Sequence, residues 1–507
     1  MLSKIIELDD LSKKISKIKK KNRKIVLCHG AFDVLHVGHF RHFKKAKSLG
    51  DILVVNLTKD KFISKGPGRP VFKLSERLEA LSSLKYIDFI TFNNMPNAID
   101  VIKKIKPNYY CKGEDYLKQE NDTTKQIKKE QQAVEKYGGQ LLITKEGKFS
   151  SSKISNSYNL SISKDQSKII KSIKKRFSLS DILEILNRIE KEKILVIGEI
   201  ILDKYIFVEA IGKSGKDPIL MFEEKYQESY LGGSAAVTNH LADFSKNIQL
   251  FSFIGKKNND EVNFIKSNLK KNIKLIPLFK KKSSNLIKKK YIDYVSKSKI
   301  IGFYSFRQFE NKFFEEKKIN IFLKKNINKS DITLITDYGH GILSDKSAKI
   351  VSDKKNFVYL NAQINAGNIA NHSIKKYNNL ECVVINESEL RHEMRDSQSK
   401  IKVLIKKISI AQNLKYVCVT MGANGSILFN KKKNSFFECK AFADRVVDRI
   451  GAGDSMLAIL SCVLKVSKDE ELALLLGSLA SAQQVANFGN SFYVSKNQLV
   501  KVLQHLF

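Results

Sequence analysis

A chain of 507 residues exceeds what one hydrophobic core organises, and two substantial domains fit it best. Its apolar fraction of 42% is ample for globular cores, and no uninterrupted apolar run approaches the ~20 residues that cross a bilayer, so no membrane insertion is expected. The net charge of +38 would suit nucleic acid or an anionic membrane, but the lysines are spread along the whole chain (KKIK, FKKKSS, IKKKY, NKKKNS) without an aromatic-basic stripe; a solvated surface is expected, and no nucleic-acid partner.

The first residues, MLSKIIELDDLSKKISKIKKKNRK, alternate apolar and charged side chains and lack the apolar stretch and cleavage site of a signal peptide, so a cytoplasmic protein is expected. From Ile25 the pattern alternates strand and helix. IVLCHGAF reads as a strand, HFRHFKKAKSLG as a helix, DILVVNLT as a strand and SERLEALSSL as a helix. YIDFITF, NAIDVIKKIK, YYCKG, TTKQIKKEQQAVEKYGG and LLITKEG continue the alternation to about Ser155. This is the pattern of a doubly wound parallel α/β unit with a binding crevice at the C-terminal ends of its strands.

Residues 156–193 are polar and lysine-rich around one periodic stretch, SDILEILNRIEK, and read as a helical connector. A second α/β region, 194–507, opens with ILVIGEIILD and continues with the strand candidates IQLFSFIG, ITLITDYG, FVYLNAQ, CVVIN and YVCVTMG. The expected domains are therefore 1–155 and 194–507. Six cysteines (Cys28, Cys111, Cys382, Cys418, Cys439, Cys462) are scattered with no CxxC pair, so reduced, buried thiols are expected rather than a disulfide framework or a zinc site.

Two short strings carry chemistry. HVGH, at His36 to His39, follows an apolar strand and opens a helix, so two imidazoles and a glycine stand where backbone N–H groups favour phosphate. Such imidazoles can stabilise charge on an attacked α-phosphate, though a metal pair or two satisfied surface histidines would read the same way. DRIGAGD, at Asp448 to Asp454, opens the apolar helix SMLAILSCVL. Its small residues Gly451, Ala452 and Gly453 let N–H groups surround an anion, and Asp454 can take a hydroxyl proton as it attacks a γ-phosphate, although a tight turn alone would look alike.

The blocks GAFDVLHVGH, KKAKSLGDILVV, KGPGRPV with SERLEAL, KGEDY and FSSSKI resemble, in order, the nucleotidyltransferase superfamily that makes activated sugar or alcohol phosphates. They are most similar to the adenylyltransferase half of the bifunctional ADP-heptose synthesis enzymes, which implies a Rossmann-like unit. The resemblance implies attack of a sugar-1-phosphate on the α-phosphate of ATP, or of CTP, without a covalent enzyme intermediate. His36, His39 and Lys44 would then be catalytic. Gly30, Phe32, Arg77, with Arg69 beside it, and Ser150, Ser151 and Ser152 would hold the nucleotide, unless the serines only cap a helix. Lys112 and Asp115 of KGEDY would meet the substrate.

In the second region GEIILD, LGGSAAVTNHLA, TDYGHG, INESE, VTMGANGS and DRIGAGD resemble the ribokinase-like (PfkB) sugar kinases. The resemblance implies a ribokinase-like domain with a small lid sheet, often used for dimerisation, so a homodimer is expected. Asp454 would be the general base and Gly451 to Gly453 the anion hole. Asp203, Gly232, Gly233 and Asn239 would hold the sugar, with Lys288 and Lys290 reaching substrate phosphate. Asn386 and Glu389 would lie near Mg-ATP, Glu389 as a Mg2+ ligand, while Thr420 and Gly422 would line the nucleotide pocket.

The chain departs from the heptose kinases in carrying NAQINAGN (Asn361 to Asn368) where they have a DPK-like string, and an amide cannot replace a lysine's charge. Its transferase-before-kinase order is also reversed. The expectation is a bifunctional enzyme of nucleotide-sugar synthesis. The alternative is a CTP-dependent transferase whose kinase-like half only senses sugar or dimerises.

Overall fold

A computed structural model of the chain describes residues 4–63, 70–113, 126–144, 162–280, 283–305, 312–353, 357–364, 368, 372–443 and 445–507. The contacts divide it into two compact units, 1–163 together with 500–507, and 164–499. Asp115, Ser150, Ser151, Ser152 and Arg69 lie outside the described residues.

The first unit is a parallel sheet of five strands: β1 (Ile25–Gly30), β2 (Ile52–Thr58), β3 (Phe89–Asn93), β4 (Tyr109–Gly113) and β5 (Gln140–Thr144), in the order β3-β2-β1-β4-β5. Burial on both faces explains the near-continuous apolar runs of β1 and β2. One layer packs Leu27 and Val54 against Val101, Ile102 and Val134; the other packs Val26, Cys28 and Val55 against Phe43, Leu78 and Leu81. The sequence reading assigned no element before Ile25. A helix nevertheless runs over Leu8–Lys19, because Leu8, Leu11 and Ile15 recur at helical spacing and bury one face. The sheet order turns back at β1, which puts the switch-point crevice beyond Gly30 and Gly113.

In the second unit a sheet of nine strands has the order β10-β9-β6-β13-β14-β15-β16-β17-β18. Its members are β6 (Lys193–Gly198), β9 (Asn247–Gly255), β10 (Ile273–Lys280), β13 (Ile332–Asp337), β14 (Phe357–Ala362), β15 (Cys382–Asn386), β16 (Tyr416–Thr420), β17 (Ser426–Asn430) and β18 (Ser435–Cys439). All pairings are parallel up to β16, and β17 and β18 close the edge antiparallel. A separate sheet of four strands holds β7 (Ile200–Lys213), β8 (Leu220–Gly233), β11 (Leu286–Asp293) and β12 (Lys299–Ser305), in the order β12-β11-β7-β8.

ILVIGEIILD, read above as one strand, is two. The chain leaves the large sheet at Glu199 and enters the small one, because the Glu199 carboxylate accepts the N–H groups of Tyr338, His340 and Ile342 at 3.0, 3.2 and 3.3 Å. The expected connector region contributes helices Lys164–Lys174 and Leu179–Ile189, which belong to the second unit's body. Ile170, Ile173, Ile182 and Leu186 are buried there, and Arg176 pairs with Asp469 and Glu471.

All six cysteines are buried and free. No described helix is long and apolar enough to cross a membrane.

Candidate active sites

In the first unit the chain leaves β1 at Gly30 and turns into the helix Val37–Lys47. Phe32 sits at φ +46°, a strained setting for an aromatic residue, and its ring packs edge-on to His39 and against Phe43, with centroids 5.5 and 5.0 Å away. A Cβ on Gly30 would meet that ring at 3.0 Å, so glycine makes room for it. Phe32 therefore braces His39 from behind.

His36 is the N-cap of this helix. Its Nδ1 accepts from Gly38 N at 3.1 Å, and His39 Nδ1 lies 3.4 Å from His36 N in the reciprocal bond of a capping box. With Nδ1 accepting on both rings, the neutral tautomer carries its proton on Nε2, so each imidazole presents an N–H donor. The rings lie 4.0 Å apart and 31° from parallel at the helix start. The two rings thus stand side by side at the first turn of the helix.

Beneath them lies a buried polar floor. His29 Nδ1 meets Asn56 Nδ2 at 3.1 Å, and His42 Nδ1 meets Thr144 Oγ1 at 2.7 Å. Burial, reinforced by the Lys112 ammonium, lowers His29 to about 3 and His42 to about 4, so both rings stay neutral. Sequence reasoning missed these two, since His29 stands inside an apolar run and His42 in a basic helix, and neither makes a motif of its own.

Three expected site residues take other places. Arg77 is 1% exposed. Its guanidinium donates to Phe72 O, Ala31 O and Thr58 O and pairs with Asp60 at 2.5 Å, so it ties together the loops after β1 and β2. Lys112 is 6% exposed, with its ammonium 3.3 Å from Glu130, which also accepts from Tyr110 Oη and Ala98 N. Burial alone would raise the Glu130 carboxyl, but the Lys112 charge wins and holds it below the usual range. Lys44 is exposed in the helix's last turn, about 140° around the axis and ~7.5 Å along it from His39, and so stands away from the imidazole pair.

In the second unit the helix Ala452–Ser467 starts at Gly451, whose φ of +81° and close neighbours, Asn490 Oδ1 and Gln484 Nε2, exclude a side chain. Ala452 and Gly453 lie in the first turn, where N–H groups have no acceptor within the helix, and Asp454 follows them. Tyr338, buried just beyond β13, donates its hydroxyl to Asp454 Oδ1 at 2.8 Å. Burial pushes the Asp454 carboxyl up to about 6, with the Tyr338 hydrogen bond and the Lys288 charge acting against the rise.

From the small sheet, β11 and β7 pair Lys288 with Asp203 and Lys290 with Tyr205. Lys290 Nζ is bonded to Asp203 Oδ1 at 2.9 Å and to Tyr205 Oη at 3.2 Å. Lys288 Nζ lies 5.8 Å from the Tyr338 ring centre and 5.4 Å from that of Tyr304. Burial lowers its pKa while Asp203 and Asp454 oppose the shift, which puts one ammonium under the influence of both carboxylates. Gly232 is required: a Cβ there would stand 2.3 Å from Asp203 Oδ2.

Residues 191–497 match the pfkB family of carbohydrate kinases. The chain belongs to the pfkB family. Residues 27–157 of this pfkB-family chain match the cytidylyltransferase-like family. It is 36% identical over 115 residues to the bifunctional protein HldE of Campylobacter fetus, covering 22% of this chain and 24% of that protein. It is 37% identical over 141 residues to HldE of Geobacter metallireducens, covering 27% of each. The chain thus spans about a quarter of the length of the curated relatives it matches. The fold of its second unit is that of a phosphofructokinase-2 variant from Escherichia coli, with a TM-score of 0.50 at 14% identity over 62% of this chain and 99% of that one.

Other expected residues of the pfkB unit have structural work of their own. Asn239 is 1% exposed, donates to Asn268 O and accepts from Lys270 N, both at 3.1 Å, so its amide braces a helix to a loop. Gly233 at φ +63° lies against Glu199 O and makes the turn into the helix Ser234–Leu241. Asn386 caps the helix Glu387–Met394, with Asn386 N to Glu389 Oε2 and Glu389 N to Asn386 Oδ1 both at 2.8 Å. Burial raises the Glu389 carboxyl to about 7. One carboxylate oxygen of Glu389 and its backbone N–H are thus engaged with Asn386, and no group of three or more metal-binding side chains occurs among the described residues. Thr420 ends β16, and Gly422, at φ +56°, lies exposed in the turn after it with open space around its Cα.

Sequence reasoning also missed Tyr338 and Glu199. Both stand inside the motifs TDYGHG and GEIILD, but only the meeting of two strand ends reveals them. Asp337, bonded to Lys376 at 2.6 Å and Tyr377 at 2.7 Å, closes the floor of this site. Burial opposes ionisation of Asp337, but the Lys376 charge prevails and keeps its carboxyl below the ordinary value.

Proposed function

We propose that the chain is a bifunctional enzyme of nucleotide-sugar synthesis. The second unit phosphorylates a sugar or sugar phosphate of heptose-like size, and the first converts a sugar-1-phosphate and ATP into an ADP-sugar and pyrophosphate. One observation carries the reading: Asp454, at a helix start, is held by Tyr338 and shares the field of Lys288 with Asp203. This is the disposition a general base and an acceptor-binding carboxylate require.

In the kinase step the acceptor hydroxyl oxygen bonds to the γ-phosphorus, the bond to the β,γ-bridging oxygen breaks, ADP leaves and the hydroxyl proton passes to Asp454. The first-turn N–H groups of Gly453 and Asp454 face the transferring group, and Lys288 offsets developing negative charge. In the transferase step a sugar-1-phosphate oxygen bonds to the α-phosphorus and pyrophosphate leaves, while the Nε2–H donors of His36 and His39 bind the non-bridging oxygens. Mg2+, when bound, would screen the phosphates and arrive mainly with the nucleotide.

The CTP-dependent alternative with an inert kinase-like half is disfavoured by the intact Asp454 arrangement. The small sheet and its β11–β12 turn favour a homodimer: Ile211, Leu220, Ile301 and Phe303 on the strands and Val295 in the turn are all more than half exposed, apolar surface that a second copy would cover.

The reading is tested by a matrix of nucleoside triphosphates against sugar-1-phosphates, scored by pyrophosphate release with His36→Ala as control, beside ADP release from ATP and free or phosphorylated sugars with Asp454→Asn as control. Pyrophosphate release lost in the first variant and ADP release lost in the second are expected. No release from any pair would sink the transferase assignment, and an unchanged rate in Asp454→Asn would sink the kinase one.

A further inference from the structure

The small sheet and the glycine turn ahead of Asp454 meet at a buried carboxylate that the chemistry above leaves without a role. Asp448 opens DRIGAGD and is 4% exposed. Its Oδ1 accepts from Ile450 N at 3.2 Å and from Lys299 Nζ at 2.6 Å, and its Oδ2 accepts from Gly489 N at 3.2 Å. Lys299 begins β12, so one strand of the small sheet reaches directly into the turn.

A second strand of that sheet reaches the same place. Tyr205 of β7 is fully buried, its ring edge-on to Tyr230 and Phe488 with centroids 5.6 and 4.9 Å away, and Ile450 packs against the same cluster. Its hydroxyl lies against Gly489, where a Cβ would stand 2.9 Å from the oxygen, and only glycine, at φ +53°, lets backbone and phenol meet. This is the residue whose N–H is bound to Asp448. Burial raises the Tyr205 phenol above its ordinary value, and the Asp203 and Asp448 carboxylates raise it further, so it keeps its proton as a donor.

Donors and acceptors give these groups an order. Lys290, expected from the sequence to reach a substrate phosphate, donates to Asp203 Oδ1 at 2.9 Å and to Tyr205 Oη at 3.2 Å. An ammonium only donates, so the Tyr205 oxygen accepts from it and the phenol proton is left for Asp448. The series Asp203, Lys290, Tyr205, Asp448, Ile450 N thus runs from the carboxylate assigned to the sugar to the turn assigned to the γ-phosphate. Beyond Asp448 the turn is tightly held. Asp448 N donates to Val485 O, Gln484 Nε2 donates to Ile450 O, Gly489 O and Asn490 Oδ1 at 3.3, 2.8 and 3.2 Å, and a Cβ on Gly451 would meet the same two amides. A shift at Asp448 is therefore passed on to Gly451.

A sugar hydroxyl bonding to Asp203 competes with Lys290 for that carboxylate. The ammonium then leans on Tyr205 Oη, polarises the phenol and strengthens its bond to Asp448, because hydrogen bonds in series reinforce one another in a low-dielectric interior.

We infer that Tyr205 and Lys299 are positioning residues of the kinase, which join the small sheet to the glycine turn through Asp448, so that an acceptor at Asp203 tightens the hold of the turn on ATP. The inference rests on the kinase reading above and adds a coupling between its two substrates.

The test measures initial rates of ADP release by the full chain over a grid of ATP and acceptor concentrations, with the sugar of the screen above that gives the highest rate. In the native chain the KM for ATP should fall by about 10-fold between vanishing and saturating acceptor, within the usual range of coupling between two sites. Tyr205→Phe keeps the ring contacts and removes the hydroxyl, and should bring that ratio close to one. Lys299→Gln should raise the KM for ATP ~10-fold, as loss of one charged hydrogen bond predicts, and Lys299→Arg should restore it. A purely structural role for Tyr205 would lower kcat and leave the ratio where it was. ADP release with a ratio near one in the native chain, or with a ratio unchanged in Tyr205→Phe, overturns the inference while the kinase reading stands. An unchanged KM in Lys299→Gln overturns the part given to Lys299. If no sugar is turned over, the kinase reading falls and the coupling with it.

Discussion

Tyr338 donates its hydroxyl to Asp454 at 2.8 Å while its own backbone N–H is held by Glu199 at 3.0 Å, so the orientation of the proposed base is set by a residue anchored at the opposite strand end. One oxygen of Asp454 is thereby occupied, leaving the other to approach an acceptor alcohol.

That hydrogen bond restrains the Asp454 carboxyl, which burial raises to about 6. Since a base works only when ionised, kinase activity should fall as pH drops through about 6 in the native chain. Tyr338→Phe removes the donor that favours the charged form, so the acid limb should move upward by on the order of one pH unit. Full pH–rate profiles check this, and an unmoved limb contradicts the role given to Tyr338.

Gly232→Ala should act on the kinase alone. The added methyl would press on Asp203 Oδ2 from 2.3 Å, displacing a carboxylate that Lys290 also holds. The sugar KM should rise at least ~10-fold, as expected for loss of a charged hydrogen bond, with pyrophosphate release by the other unit unchanged. Assaying both reactions on one preparation shows whether the loss is confined in this way.

In the transferase, His39→Ala removes one oriented donor and should lower kcat by about 10²–10³-fold, the range found for single oxyanion donors. It also removes half of the capping box, at a cost of roughly 1 kcal/mol. His39→Gln, which retains a donor, should recover part of the rate. Equal losses in both variants would mean the ring serves only the fold.

His29 and His42 make the first unit acid-sensitive. Their folded pKa values of about 3 and 4 lie below the ordinary 6.5, so the unfolded chain binds protons that the folded one refuses. Stability from these rings is complete above pH ~6.5 and declines by roughly 1.4 kcal/mol per ring for each unit below it, until the folded pKa is reached. Protection factors of β1 and of the helix Val37–Lys47, corrected for the intrinsic exchange rate, should therefore fall between pH 7 and 5, and less so in His42→Asn. Flat protection over that range would refute the assignment.

Much of this architecture could be read from residue order. The alternation from Ile25 to Thr144 announced all five strands of the first unit, because parallel strands buried on both faces must be apolar throughout. β8 and β12 gave no such signal: their residues are mostly exposed and mixed, and pairing alone defines them. HVGH and GAGD marked both candidate sites because helix starts impose local rules on sequence. Arg77, Lys112 and Asn239 show the converse: a polar residue inside a motif can also serve the scaffold, and only its three-dimensional partners show that it does.

The six enclosed sulfhydryls give the molecule an internal clock. Cys28 and Cys111 belong to the first unit and Cys382, Cys418, Cys439 and Cys462 to the second, every one shielded from bulk reagent. An alkylating agent can reach them only as each body breathes open, so the mass added over time, two increments from one and four from the other, ranks the two halves by how readily they unfasten.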